Sequence, residues 1–263
     1  ALATANTFAL PGEFTGGSAG YTNLTLAELA NSLNAATLAY WPRDAAEVAA
    51  VGTSYWSTVA SLANNGLNQD FVFIGDGCSS VCPELQSYTN DILFIRVHTR
   101  IANMLDPVTQ ATPYPVGGNP QPNSADRRLG DGSFGIPEMV EDYGTIPRTV
   151  NAGTDFAYTD LPIMFPSRGT YHESNLGHIR WDASGTQDVN SIYFGYGPVP
   201  LMMRGQNDLI HAEALLRSGG STATAAGLIN GTRVTRGGLT PAGGAESVND
   251  LLIKMEYENE IEL

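Results

Sequence analysis

The stretch "DLIHAEALLRSGG", residues 208–220, limits the fold of this chain more than any other. Leu209, Ile210, Ala212, Leu215 and Leu216 fall at i, i+3, i+4 and i+7 spacings, the signature of one apolar helix face. Arg217 suits the negative end of the helix dipole, and Gly219 or Gly220 supplies a left-handed cap. The small "AEA" at 212–214 stands mid-helix, where larger side chains would fit. Small residues there let a second helix backbone come close. The chain is therefore expected to rest on tightly packed helices.

The same pattern recurs elsewhere. "LTLAELANSLNAATLAY", residues 24–40, has apolar positions at 26, 29, 30 and 33. "WPRDAAEVAAV" then turns through Pro42 and uses Asp44 to cap a second helix running to about Ala63. "FVFIG", at 71–75, reads as a short strand. Residues 88–106 predict a third helix, with Ile92, Ile95, Thr99 and Ala102 along one stripe. Helices return at about 201–218, 221–235 and 245–263, the middle one capped by Ser221 or Thr222 and closed by Gly237 and Gly238. Two helical hairpins with small contact faces give a mainly α fold, a tetratricopeptide-like α-solenoid scaffold. Between them, residues 107–200 are rich in Pro, Gly, Asn and aromatics without sustained period, and read as a large irregular, loop-rich insert. The expected organisation is one domain over 1–263: a helical part at 24–106, the insert as ligand face, and a C-terminal helical part at 201–263. Trp41 and Trp56, beside the first hairpin, are expected in the core.

Composition narrows the function. Apolar residues make up 42% of the chain and charged residues 15%, as in a globular protein. A formal net charge of −14 argues against nucleic acid or an anionic membrane surface as a direct partner. No apolar run is long enough to span a bilayer, so no transmembrane segment is expected in this chain. The opening "ALATANTFALPGEF" lacks the features of a signal peptide, and "LLIKMEYENEIEL" stops inside a periodic helix, so both ends read as interior to a longer protein. Cys78 and Cys82 lie in the loop "GDGCSSVCPEL" and can close a small disulfide ring in an oxidising compartment, which points outside the cytoplasm. Free thiols are the alternative. A zinc site would need two more soft ligands, and the histidines at 98, 172, 178 and 211 show no matching spacing.

The C-terminal residues "LIHAEALLRSGGSTATAAGLINGTRVTRGGL…LLIKMEYENEIEL" resemble the tail of the SusD/RagB family of outer-membrane nutrient-binding lipoproteins. The matching positions are Ala212–Ala214, Gly219, Ala225–Ala226, Leu228–Asn230, Arg233, Gly237–Leu239, Glu258 and Glu262–Leu263. "LNAATLAYWPRDAAEVAAV" is similar to that family's central helices, while the insert matches only loosely. The resemblance implies a scaffold that does no chemistry and supports a loop-rich ligand face. It also implies docking onto a TonB-dependent outer-membrane transporter, a lipid anchor upstream, and a place on the surface of a Gram-negative cell.

Sugars are bound by flat aromatic faces against the C–H face of a pyranose, with amides and charged groups bonding the hydroxyls. The insert offers Tyr114, Tyr143, Tyr158, Tyr171 and Trp181, with Asn175, Arg180 and Asp182 as polar partners. Trp181, between Arg180 and Asp182, is the foremost candidate. The bland alternative is that these aromatics form the insert's own core. Catalytic signatures are missing: no GxSxG or HExxH occurs, and "RSGGSTATAAG" lacks the lysine of a P-loop. A glycosidase needs two placed carboxylates, and no local pattern singles out a pair. Glu256, Glu258, Glu260 and Glu262 read as a solvated or ion-paired helix face. "GDGCSS" and "LGDGSFG" could hold a structural calcium, although neither follows EF-hand spacing and turns alone explain them. No cofactor is expected otherwise. The sequence thus favours non-enzymatic capture of a nutrient, an oligosaccharide above all. A structural protein of a cell-surface assembly and a secreted glycoside hydrolase are the competing readings.

Overall fold

The computed structural model describes residues 3, 7–16, 20–76, 96–115, 118–129, 154–158, 172–178, 180 and 196–262. The described chain is mainly helical and falls into two compact units. One comprises Ala1–Val72 and Pro200–Leu263, the other Phe73–Val199.

The first unit is built from helices. Helix α1, Asn23–Ala39, starts at a capping box, in which the Thr22 hydroxyl accepts from the Leu24 and Thr25 amides while Thr25 Oγ1 accepts from the Thr22 amide. Asp44 caps α2, Ala45–Asn64, by accepting from the amides of Ala46 and Glu47, both at 2.9 Å. Gly52, with φ of 75°, interrupts α2 partway along. The three C-terminal helices are α4, Arg204–Ser218, α5, Thr222–Arg233, and α6, Val248–Glu262; α3 belongs to the other unit. Helix α4 starts at Arg204 because Leu201 and Met202 are still extended, and it ends at Gly219 with φ of 77°. Ser221 caps α5, its hydroxyl accepting from the Thr224 amide.

Helix α4 explains its small residues. It packs on α1 and α2 with one side and on α5 and α6 with another. Ala214 and Ile210 join the first core with Ala35, Ala39, Trp56, Val59, Ala60 and Ala63. Ala212, Leu209 and Leu216 join a second with Ala225, Ala226, Ile229, Leu251 and Met255. Ala212 and Ala214 are both fully buried, and Glu213 between them reaches out to an ion pair with Arg217. A helix buried on two sides needs small residues on both, which is what "AEA" supplies.

A buried polar junction ties α1, α2 and α4 together. Ser32 Oγ donates to Asn207 Oδ1 at 2.8 Å and accepts from the Leu67 amide at 2.7 Å, and Asn207 Nδ2 donates to the Ala63 carbonyl at 2.9 Å. Glu258 and Glu262 on α6 are buried and paired with Arg233 at 3.3 Å and Arg236 at 2.7 Å. Their part is structural, as the ion-paired reading of that helix face expected.

Trp56 is in the core, 2% exposed, with the Arg217 guanidinium 5.2 Å from its ring centroid. Trp41 is not. It is 73% exposed, against expectation, because Pro42 turns the chain right after α1 and leaves Trp41 on the outside of the corner.

The second unit contains α3, Thr99–Leu105, and short strands. Strand β1, Phe71–Asp76, pairs with β4, Tyr196–Met202, and the chain passes between units within these two strands. Strands β2, Phe156–Tyr158, and β3, Leu176–His178, pair antiparallel, with Phe156 opposite His178 and Tyr158 opposite Leu176. The insert thus carries a strand pair that its composition hid. The third helix is shorter than its stripe predicted. Residues 88–95 lie outside the described set, and Val97 is extended, bonded to Ser174 and Leu176. His98 sets the start of α3, its Nδ1 accepting from the Arg100 amide.

Candidate functional site

In the second unit His98, just before α3, forms an antiparallel bridge with Glu173, and the imidazoles of His98 and His172 stack at 5.0 Å. The Thr99 amide donates to the His172 carbonyl at 2.9 Å. Val97 then accepts from the Ser174 amide and donates to the Leu176 carbonyl, skipping Asn175.

Asn175, between these two bonds, approaches a turn at Gly118. The Gly118 amide donates to the Pro115 carbonyl, and φ at Gly118 is +85°. A Cβ added there would lie 2.8 Å from the Tyr114 hydroxyl and 3.2 Å from Asn175 Nδ2. Glycine is therefore required twice over, for its left-handed backbone and for the close approach of these two side chains. Asn175 Nδ2 also reaches the Asn119 carbonyl at 3.5 Å.

Arg96 and Glu173 complete the cluster. Arg96 is 6% exposed and interacts electrostatically with both Glu173 and Tyr114. Burial pushes the Glu173 carboxyl above the usual carboxylate range, and the Arg96 charge offsets part of this. Burial likewise raises the Tyr114 phenol; the Asn119 amide lies near enough to offset part of the rise but not to donate a hydrogen bond. Tyr158, on β2, is close enough to add to the rise. Among the described residues, neither the Tyr114 hydroxyl nor Glu173 Oε2 has a hydrogen-bond partner. Buried polar atoms of this kind are costly unless something satisfies them.

A second polar group surrounds His178. Burial drives this imidazole down to about 4, against the Asp155 charge that favours protonation and with the Arg180 charge opposing it. Arg180 Nη1 lies 3.9 Å from Asp155 Oδ2, and Phe156 meets the His178 ring edge-on at 5.8 Å. Asp155 and Phe156 donate their amides to the Arg128 carbonyl, and the Arg128 side chain is fully buried in an ion pair with Asp126 at 2.7 Å. Arg180 belongs to this second group through its pair with Asp155.

Of the residues singled out from sequence, Tyr114, Tyr158 and Asn175 belong to one cluster and Arg180 to the other group. Tyr143, Tyr171, Trp181 and Asp182, with Cys78 and Cys82, lie outside the described residues, as does most of both candidate calcium turns. Arg96 and Glu173 were not foreseen. The one available signal was a lone arginine inside the apolar run "ILFIRV"; Glu173 is one of 27 acidic residues and carried none.

No protein-family model matches this chain, and no curated protein matches it. Among solved structures, the chain is similar to a SusD superfamily protein from Parabacteroides distasonis ATCC 8503, whose crystal structure was determined at 1.95 Å resolution. Identity is 12%, the TM-score is 0.38, and the match covers 88% of this chain and 50% of the other. The chain therefore spans about half the length of that protein.

Proposed function

We propose that this chain captures a nutrient, an oligosaccharide, at the surface of a Gram-negative cell and hands it to a TonB-dependent outer-membrane transporter without converting it. The observation that carries this reading is the meeting of Tyr114, Asn175, Arg96 and Glu173 about the turn at Gly118, with Tyr158 beside them. Amide, guanidinium, carboxylate and phenol are the groups that bond sugar hydroxyls, and tyrosine rings offer the face a pyranose stacks on. The Tyr114 hydroxyl and Glu173 Oε2 are buried without partners among the described residues, polar atoms that a ligand hydroxyl reaching them would satisfy. Within this cluster Glu173 is the carboxylate, and its neighbour is Arg96, an arrangement for holding rather than for the paired-carboxylate chemistry of a glycosidase.

The sequence resemblance to SusD/RagB proteins supports the same reading. Its positions in this chain are packing positions: Ala212 on α4 in one core with Ala225 and Ala226, Ala214 on α4 in the core with Ala35 and Ala39, and Arg233 on Glu258. In this proposal the helical unit is a tetratricopeptide-like support, the anchor lies upstream, and the sugar site lies in residues 107–200 together with Arg96.

The test is affinity electrophoresis and calorimetry of the whole chain against neutral plant and microbial oligosaccharides, with Tyr158→Ala, Asn175→Ala and Trp181→Ala compared with wild type. Loss of about tenfold or more in affinity is expected for Tyr158→Ala, since truncating an aromatic anchor costs more than about 1 kcal/mol. Unchanged affinity in all three variants would remove the site from the insert.

A further inference from the structure

The first unit carries a feature that this function does not use. The corner between α1 and α2 opens a groove of about 650 Å³ lined by Thr37, Tyr40, Trp41, Pro42, Arg43 and Glu47, with Ala50 and Val51 behind them. Trp41 is 73% and Tyr40 52% exposed, so two aromatic side chains stand side by side in solvent on a rigid helix end. Large aromatics left in water lose the burial that normally fixes them, and exposed Trp–Tyr pairs in a concave site mark binding surfaces.

The groove is held in shape. Tyr40 closes the C-terminal end of α1, its backbone amide donating to the Ala36 carbonyl at 3.0 Å. Arg43 folds back on Glu47: Nη2 lies 2.9 Å from Oε1, and the Arg43 backbone amide donates to Oε2 at 2.8 Å. The Asp44 cap locks the backbone in between. The rim therefore presents a guanidinium and a carboxylate that neutralise each other, on a protein whose net charge is −14. A charged ligand gains nothing from such a rim. An uncharged ligand with one apolar face and many hydroxyls matches it: C–H groups over the Trp41 ring, and hydroxyls accepting from Arg43 and donating to Glu47.

We infer that the α1–α2 corner is a second saccharide-binding site, in which a neutral pyranose stacks on Trp41 beside Tyr40 and bonds the Arg43–Glu47 pair. It extends the capture function by giving one glycan chain two separate contacts on the protein. Two modest contacts joined by one polymer bind far more tightly than either does alone when the polymer spans both.

The experiment uses the whole chain with maltoheptaose, xylohexaose, cellohexaose and mannohexaose as probes, in calorimetric and fluorescence titrations. Trp41→Ala, Arg43→Ala and Tyr158→Ala are compared with wild type. Trp41 is exposed, so its removal is expected to leave thermal unfolding unchanged. The expected result is a probe whose binding falls at least tenfold in Trp41→Ala, falls measurably in Arg43→Ala, and keeps its Trp41-dependent part in Tyr158→Ala. Binding that Tyr158→Ala weakens and Trp41→Ala leaves untouched overturns the second site and spares the first. Binding lost in Trp41→Ala and unaffected by Tyr158→Ala upholds the corner and removes the site from the insert. No binding of any probe overturns both. Elution as a dimer that Trp41→Ala dissolves, without saccharide binding, reassigns the corner to contacts between copies of this chain.

Discussion

His178 makes the sharpest prediction at the scale of a single residue. Its imidazole is buried against Phe156 and titrates at about 4, well below the ordinary 6.5, so it is neutral in the folded protein at physiological pH. In the unfolded chain it takes up a proton near 6.5. Between these values the unfolded state binds more protons, so stability falls as pH drops from about 6.5 toward 4 and levels off below. A depression of this size corresponds to roughly 3 kcal/mol across the window. Urea unfolding between pH 4 and 7 is expected to show that slope in the wild type and a flatter one in His178→Gln. Parallel slopes in the two proteins would mean that another group carries the acid sensitivity. Residues of this kind were hard to foresee. Asn175 was picked out for its chemistry, whereas its approach to the Gly118 turn exists only once residues 97–99 bond to 172–176. Arg96 sat in a stretch whose stripe predicted helix, and nothing local in a sequence reports that a strand partner will claim it.

At the scale of elements, the helices were legible and the corner between them was not. The small residues of α4, Arg217 in its last turn and Gly219 beyond it state a local preference that the packing then uses, so period and cap agree. Trp41 has no such local code. Its exposure follows from where Pro42 turns the chain, and burial is what tryptophan does by default. The packing makes its own predictions. Ala214→Leu drives a larger side chain into the core shared with Trp56 and Val59, and is expected to cost about 1–3 kcal/mol, as overpacking does. Gly66→Ala acts on the polar junction, because its Cβ would stand 2.3 Å from Asn207 Oδ1 and 2.4 Å from Ser32 Oγ. Both groups are buried, so forcing them apart strands hydrogen-bonding atoms at about 1–3 kcal/mol. Guanidinium denaturation of each variant measures these losses. A Gly66→Ala protein as stable as wild type would show that the junction has slack the distances do not suggest.

On the scale of the whole molecule, each unit has a division of labour that can be tested by separating them. Among the described residues, the helical unit holds two apolar cores, the Ser32–Asn207 junction and the paired carboxylates of α6. Among the described residues of the other unit are short paired strands and the buried Arg128–Asp126 pair, together with Tyr114, Tyr158 and Asn175. The chain crosses from one to the other near Val72 and again near Pro200, within strands that pair with each other. Paired strands lie about 5 Å apart, so a short flexible linker can replace everything between those points. Ala1–Val72 joined to Pro200–Leu263 by a Gly-Ser linker is expected to unfold in one cooperative transition and to keep full helical circular dichroism. A sloping, uncooperative melt would mean that its cores depend on the removed segment. The same protein separates the two saccharide sites, for it retains Trp41, Tyr40, Arg43 and Glu47 and lacks every residue of the cluster at Gly118. Saccharide binding that survives in this shortened protein and disappears on Trp41→Ala would locate one contact on the scaffold itself. A folded but inert scaffold would return all recognition to the loop-rich unit, where sequence chemistry alone had put it.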